Sequence, residues 1–150
     1  MRLLPLLLAI VILASACEET AMVKTTSPNQ ISGTWLQTEY GYSPGSGYYT
    51  KPVPAVPPQM ITFTEDLQIQ TNISGLTKYK FYRIIEDAAE ENPVIAFFEQ
   101  DPGVGPHELS GLTHSYSIVW EDNTLRLHYR WCFEGCHLGF RLLSGSAAGE

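Results

Sequence analysis

Two cysteines four residues apart, Cys132 and Cys136, form the densest piece of potential chemistry in this 150-residue chain. That spacing serves either a disulfide across a hairpin or half of a metal site. Zinc would have to recruit His137, beside the second cysteine, or His128, which a hairpin register places on the cysteine face opposite Phe140, with both thiols reduced. Adjacent strand residues point to opposite faces, which turns His137 away from Cys136, so no metal is expected. His107 and His114 surround an acidic loop with Asp101 and Glu108 and read as solvated charge, with a weak cation site as the alternative. The carboxylate pairs Glu65-Asp66, Glu90-Glu91 and Glu121-Asp122 fall in turns, where they stay solvated rather than tuned for proton transfer. No G-x-S-x-G elbow, H-E-x-x-H pair or phosphate-binding glycine loop occurs. We therefore expect no catalytic residues, no cofactor and no enzyme.

The third cysteine has a different setting. Residues 1–16 combine Arg2, an apolar run from Leu3 to Leu13 and the small residues Ala14, Ser15 and Ala16, directly before Cys17. This is the pattern of an export signal, and the run is too short for the ~20 residues a membrane-spanning helix needs. A buried first helix is the competing use of such a run. Small residues ending on a cysteine resemble the lipobox of bacterial lipoproteins, which implies that Cys17 is lipidated and becomes the mature N-terminus. Ordinary signal cleavage near the same point is the alternative. Removing residues 1–16 takes away one positive charge and moves the net charge from −7 to −8. Anionic lipid would repel such a domain, so its attachment to the bilayer rests on the acyl chains. The polar tether, residues 17–30, offers thirteen residues beyond the cysteine and a reach of up to ~45 Å. Glu18 and Glu19 stand where Asp would suggest inner-membrane retention, which favours the outer membrane of the cell envelope. With Cys17 assigned to lipid, Cys132 and Cys136 remain as an even pair in an oxidising compartment, the setting of a structural disulfide. Lys and Arg total only nine and form no stripe, so nucleic acid is not an expected partner.

The elements that must position these residues read as strands. Short runs rich in Val, Ile, Thr, Tyr and Phe recur between turn signals, and nothing after Gln30 keeps helical spacing for three turns. Eight strands are predicted, at Ser32–Tyr40, Gln59–Thr64, Leu67–Asn72, Lys78–Ile84, Val94–Glu99, His114–Trp120, Thr124–Cys132 and Cys136–Leu143. Leu125, Leu127, Tyr129 and Trp131 alternate with Arg126, His128 and Arg130, giving one dry and one wet face. Tight connections at Glu65-Asp66, 121–123 and 133–135 make neighbours antiparallel. Residues 31–143 are thus predicted to form an all-β, eight-stranded antiparallel up-and-down barrel, with a two-sheet sandwich as alternative and 144–150 as a flexible tail.

Gly33-Thr34-Trp35 at the start of the first strand and Arg141 in the last resemble the lipocalin arrangement, in which a Trp closes the barrel floor and a late Arg packs across it. The chain over 31–143 is also similar to lipocalin-like domains of bacterial lipoproteins. The likeness rests on that G-T-W, the Tyr/Gly/Pro-rich loop Gly41–Pro58, the C-x-E-G-C segment 132–136 and Phe140-Arg141. The resemblance implies a barrel without catalytic residues, and a structural role for Gly33, Trp35 and Arg141.

With Trp35 at the floor, the loops 41–58 and 100–113 lie at the mouth, and loops of such length are usually functional or disordered. Tyr42, Tyr48 and Tyr49 alternate with Gly and Pro in the first, which reads either as an aromatic flap or as a cap on the core. The expected function is binding of a small, partly apolar molecule by Tyr42, Tyr48, Tyr49, Tyr129, Trp131 and Phe133. The alternative is a protein-interaction or inhibitor module for an envelope partner, on a barrel packed solid; whether the interior is filled discriminates the two.

Overall fold

The computed structural model describes residues 31–103, 109, 111–121, 123–133 and 135–144. The predicted export signal, Cys17, the predicted tether, residues 145–150 of the predicted tail, His107 and Glu108 lie outside the described residues. Nine strands are present: β1 (Gly33–Tyr42), β2 (Tyr49–Pro52), β3 (Met60–Phe63), β4 (Ile69–Thr71), β5 (Phe81–Ile85), β6 (Val94–Phe98), β7 (Ser115–Glu121), β8 (Thr124–Tyr129) and β9 (His137–Ser144). All pairings are antiparallel, in the order β4-β3-β1-β9-β8-β7-β6-β5. A bridge between Gln68 and Phe81 brings the two ends together. Around it Ile69 N–H donates to Lys80 C=O at 2.8 Å and Tyr82 N–H to Leu67 C=O at 2.9 Å. Eight strands therefore form a nearly closed up-and-down barrel, as the turn spacing predicts, and β2 is an addition outside the ring.

Each predicted strand is present, with shifted ends. β8 stops at Tyr129, short of its predicted end, because the chain turns there: Cys132 N–H bonds Tyr129 C=O at 3.1 Å, and Gly135 N–H bonds Cys132 C=O at 3.1 Å. Trp131 thus belongs to a turn and not to the inward row of Leu125 and Leu127. The pairing His128 with His137 and Leu125 with Phe140 also corrects the expected register, which had set His128 opposite Phe140. The extra strand β2 lies inside the first loop, where Gly and Pro hide strand periodicity, and pairs with the upper half of β1. At the β7–β8 turn Asn123 takes φ 63°, a left-handed conformation that Asn tolerates better than most residues.

Aromatic rings pack against one another in the interior. Phe63 meets Tyr82 at 5.1 Å and Phe97 at 6.4 Å between centroids, Phe97 meets Tyr116 at 5.5 Å, and Tyr116 meets Tyr129 at 5.3 Å. These contacts tie β3, β5, β6, β7 and β8 together across the barrel. Burial pushes the Tyr116 phenol up to about 12, helped by Tyr129 and Tyr79. At the floor Trp35 is buried, its indole N–H donates to Ile31 C=O at 2.8 Å, and its ring lies 5.6 Å from Trp120. Arg141 follows the buried, inward Phe140 and so points outward, where it is exposed opposite Leu36. The ring contact of Trp35 is made by Trp120, in the place the resemblance had implied for Arg141. Gly33, with φ 133°, opens β1 in a conformation that disfavours any side chain.

Candidate functional site

A bulge in β1 decides which first-strand residues face the mouth. Gln37 pairs with Phe140, whereas Glu39 pairs with Gly139, so Thr38 is the extra residue and alternation restarts after it. Tyr40 and Tyr42 then share the face of Leu138, which packs against the core, while Glu39 and Gly41 share the outer face of His137 and Gly139. Cross-strand pairing adds Tyr49 beside Tyr42 and Lys51 beside Tyr40. The result is a row of three tyrosine rings at the mouth, with Tyr40–Tyr42 centroids 6.0 Å apart, Tyr42–Tyr49 centroids 5.9 Å apart, and Lys51 Nζ 4.9 Å from the Tyr42 ring centre. Tyr40 and Tyr49 remain exposed. Tyr40 was not among the residues singled out from the sequence, because the bulge that turns it inward leaves no trace in the pattern.

Tyr48 goes the other way. Its hydroxyl bonds Nδ1 of His137, and its ring lies against the hairpin glycine Gly135. His137 is 2 % exposed, and its Nε2 lies 3.2 Å from Glu39 Oε1. Both ring nitrogens thus have a partner, the Tyr48 hydroxyl at Nδ1 and the Glu39 carboxylate at Nε2. Glu39 also accepts from Arg126 Nε at 2.8 Å, and Arg126 reaches Glu121 as well. Burial works to raise the Glu39 pKa, but its bonds to Arg126 and His137 outweigh that and hold it below its ordinary value. His128, whose ring centre lies 5.2 Å from that of His137, is pushed down by burial and then by the Arg126 charge, and its Nε2 is buried with no hydrogen-bond partner among the described residues. Gly41 makes the cluster possible: a Cβ there would collide with His137 Nδ1 and the Tyr48 hydroxyl. Chemically, this relay pins the first loop to the outer wall.

The remaining predicted residues are spread around the rim. Tyr129 packs half-buried against the core, and its hydroxyl donates to Thr113 C=O at 3.1 Å. The Trp131 indole donates to Leu112 C=O at 2.9 Å, while Phe133 is 96 % exposed. A disulfide joins Cys132 to Cys136 with the Cα atoms 5.6 Å apart, and holds the hairpin carrying Phe133. The structure therefore gathers Tyr42 with Tyr49, sets Tyr48 apart on the outer wall, and places Tyr129, Trp131 and Phe133 along a different arc. Among the described residues no three His, Cys, Asp or Glu side chains converge on a metal position. The outer-wall cluster escaped the sequence reading; the signal that pointed to it was a pair of glycines, 41 and 139, on strands otherwise full of large residues. No protein-family model, curated protein or solved structure matches the chain.

Proposed function

We propose that this protein is a non-enzymatic lipoprotein of the cell envelope, anchored through an acylated Cys17, that binds a small, partly apolar molecule at the mouth of its barrel. The observation that carries the reading is the row of Tyr40, Tyr42 and Tyr49 at the mouth, with Tyr40 and Tyr49 exposed and Tyr42 half-buried between them. Such a row can grip a ligand at the rim. Tyrosine suits that task, since it offers a flat apolar face and a polar tip with few bonds to freeze on binding. Ile31 lies at the floor against Trp35, so a domain held through an acylated Cys17 would carry the tyrosine row at the end remote from the membrane.

Native mass spectrometry of protein purified from its own cells should reveal a co-purifying molecule that is lost from a Tyr42→Ala/Tyr49→Ala variant. Cys17→Ser should move the protein out of the membrane fraction and abolish acyl incorporation; wild-type protein that stays in the membrane without acyl label would refute the anchor. A second reading, an interaction module for another envelope protein, is favoured by one feature, the full exposure of Phe133 on a disulfide-held hairpin. Phe133→Ser with a pull-down from envelope extracts tests it: a partner lost with Phe133, and no bound molecule in the wild type, would replace the first reading.

A further inference from the structure

The β1–β2 extension carries four side chains on one face, with Tyr40 opposite Lys51 and Tyr42 opposite Tyr49. The rings run in the order Tyr40, Tyr42, Tyr49, with centroids 6.0 and 5.9 Å apart and planes tilted by 33° and 32°. The two outer rings are open to solvent, while the central one is half-buried and has the Lys51 ammonium 4.9 Å from its centre. A free positive charge is unusual in this molecule. The chain has 16 acidic residues against 9 basic ones, and Lys78, Arg83, Arg126 and Arg130 each hold a carboxylate. Lys51 is exposed and has no carboxylate partner among the described residues. The extension's own carboxylate, Glu39, stands on the opposite face, where Arg126 and His137 engage it. An ammonium without a counter-charge thus sits between two open aromatic faces.

We propose that the tyrosine row binds an acidic oligosaccharide, with sugar rings resting on Tyr40 and Tyr49 and a carboxylate between them meeting Lys51. This rests on the row being the ligand surface, and it names the class of molecule the row takes. A pyranose has a face of C–H groups, which packs on a phenol ring, and a rim of hydroxyls, which stay hydrated or bond the phenolic tips. The openness of the row selects such a ligand over a wholly apolar one. Rings that face water offer an apolar molecule little burial, whereas a sugar keeps most of its hydroxyls wet and avoids the cost of stripping them. Two open rings flanking a third suit more than one sugar unit. The negative charge of the chain opposes an acidic ligand at long range, where salt screens it, while the attraction of Lys51 acts at contact.

Amide NMR titration of the full chain with trigalacturonate tests this, with its methyl ester as the uncharged match and 2-naphthoate as an aromatic acid. Saturable shifts are expected at Tyr40–Tyr42 and Tyr49–Lys51, with trigalacturonate bound about fivefold more tightly than the ester, as suits one exposed ion pair. That preference should vanish in about 1 M salt. It should vanish equally in Lys51→Met, which should bind the ester as the wild type does. Tyr40→Ala/Tyr49→Ala should abolish binding of both sugars while its thermal midpoint stays close to that of the wild type. Saturable shifts at the row with 2-naphthoate and none with trigalacturonate would overturn the sugar class and leave the rim as the binding surface, as would a co-purifying molecule that contains no sugar. A preference for trigalacturonate that survives Lys51→Met would overturn the proposal. No shifts at the row with any of the three probes would overturn it together with the reading on which it rests.

Discussion

His137 shows how one buried polar residue can be placed on the outside of a barrel. Its ring is covered by Tyr48, faces Glu39 and sits over Gly41, so each of its nitrogens has a partner. Tyr48→Phe keeps the ring but leaves Nδ1 buried and unpaired, a loss of about 1–3 kcal/mol. Tyr49→Ala, on the exposed row, should stay within about 0.5 kcal/mol, and Trp35→Ala at the floor should lose about 3–5 kcal/mol. Urea denaturation midpoints check that order, and equal midpoints for the Tyr48 and Tyr49 variants would show that the latch contributes nothing. Glu39 predicts a pH effect. Its folded pKa lies below the ordinary 4.5, so the unfolded chain takes up the proton first as pH falls. Its contribution is therefore complete above about 4.5 and declines as pH drops through the lower folded value. His128 acts in the same sense at higher pH: its folded pKa lies below 6.5, so stability declines as pH falls from 6.5 towards that value, with Arg126, Glu121 and His137 as the charged or titratable groups around it. Thermal midpoints should thus fall in two steps on acidification. Glu39→Gln should flatten the lower step and His128→Leu the upper; a profile unaltered by both would contradict the assignment.

Among the elements, the β8–β9 hairpin and the β1–β2 extension set the shape of the rim. The disulfide closes a loop of only a few residues, for which chain entropy accounts for about 2 kcal/mol or less. Cys132→Ser/Cys136→Ser should therefore lower the denaturation midpoint modestly, while Tyr48 loses its firm contact at Gly135 and becomes more accessible to iodination. A collapse of the fold in that variant would mean that the hairpin organises the barrel and does not merely finish it. The β1–β2 extension was not legible in the sequence, because Gly45, Gly47 and the prolines at 52, 54, 57 and 58 mask a four-residue strand that pairs with the top of β1. Its tyrosines were legible by type; their separation into an exposed row and a latch was not, since it depends on the bulge at Thr38 in the facing strand pair.

For the whole molecule, closure is the weak point. Most neighbouring strands share ladders of several residues, but β4 and β5 meet through one bridge and its flanking bonds. Hydrogen exchange should open that seam first, with the amides of Ile69 and Tyr82 exchanging well before those of Leu125 and Leu127 in β8, which is paired on both sides. Exchange of all four at one rate would show that the barrel opens only globally. The eight ring strands, their antiparallel succession and the cysteine pairing were determined by sequence, because alternation, short turns and an even cysteine count act over a few residues each. Tertiary structure alone decided that rings from five strands meet in the interior, that Trp120 and not Arg141 meets Trp35, and that Tyr48 leaves its neighbours for His137. These depend on register and on a one-residue bulge, and a shift of one residue sends every later side chain to the opposite face.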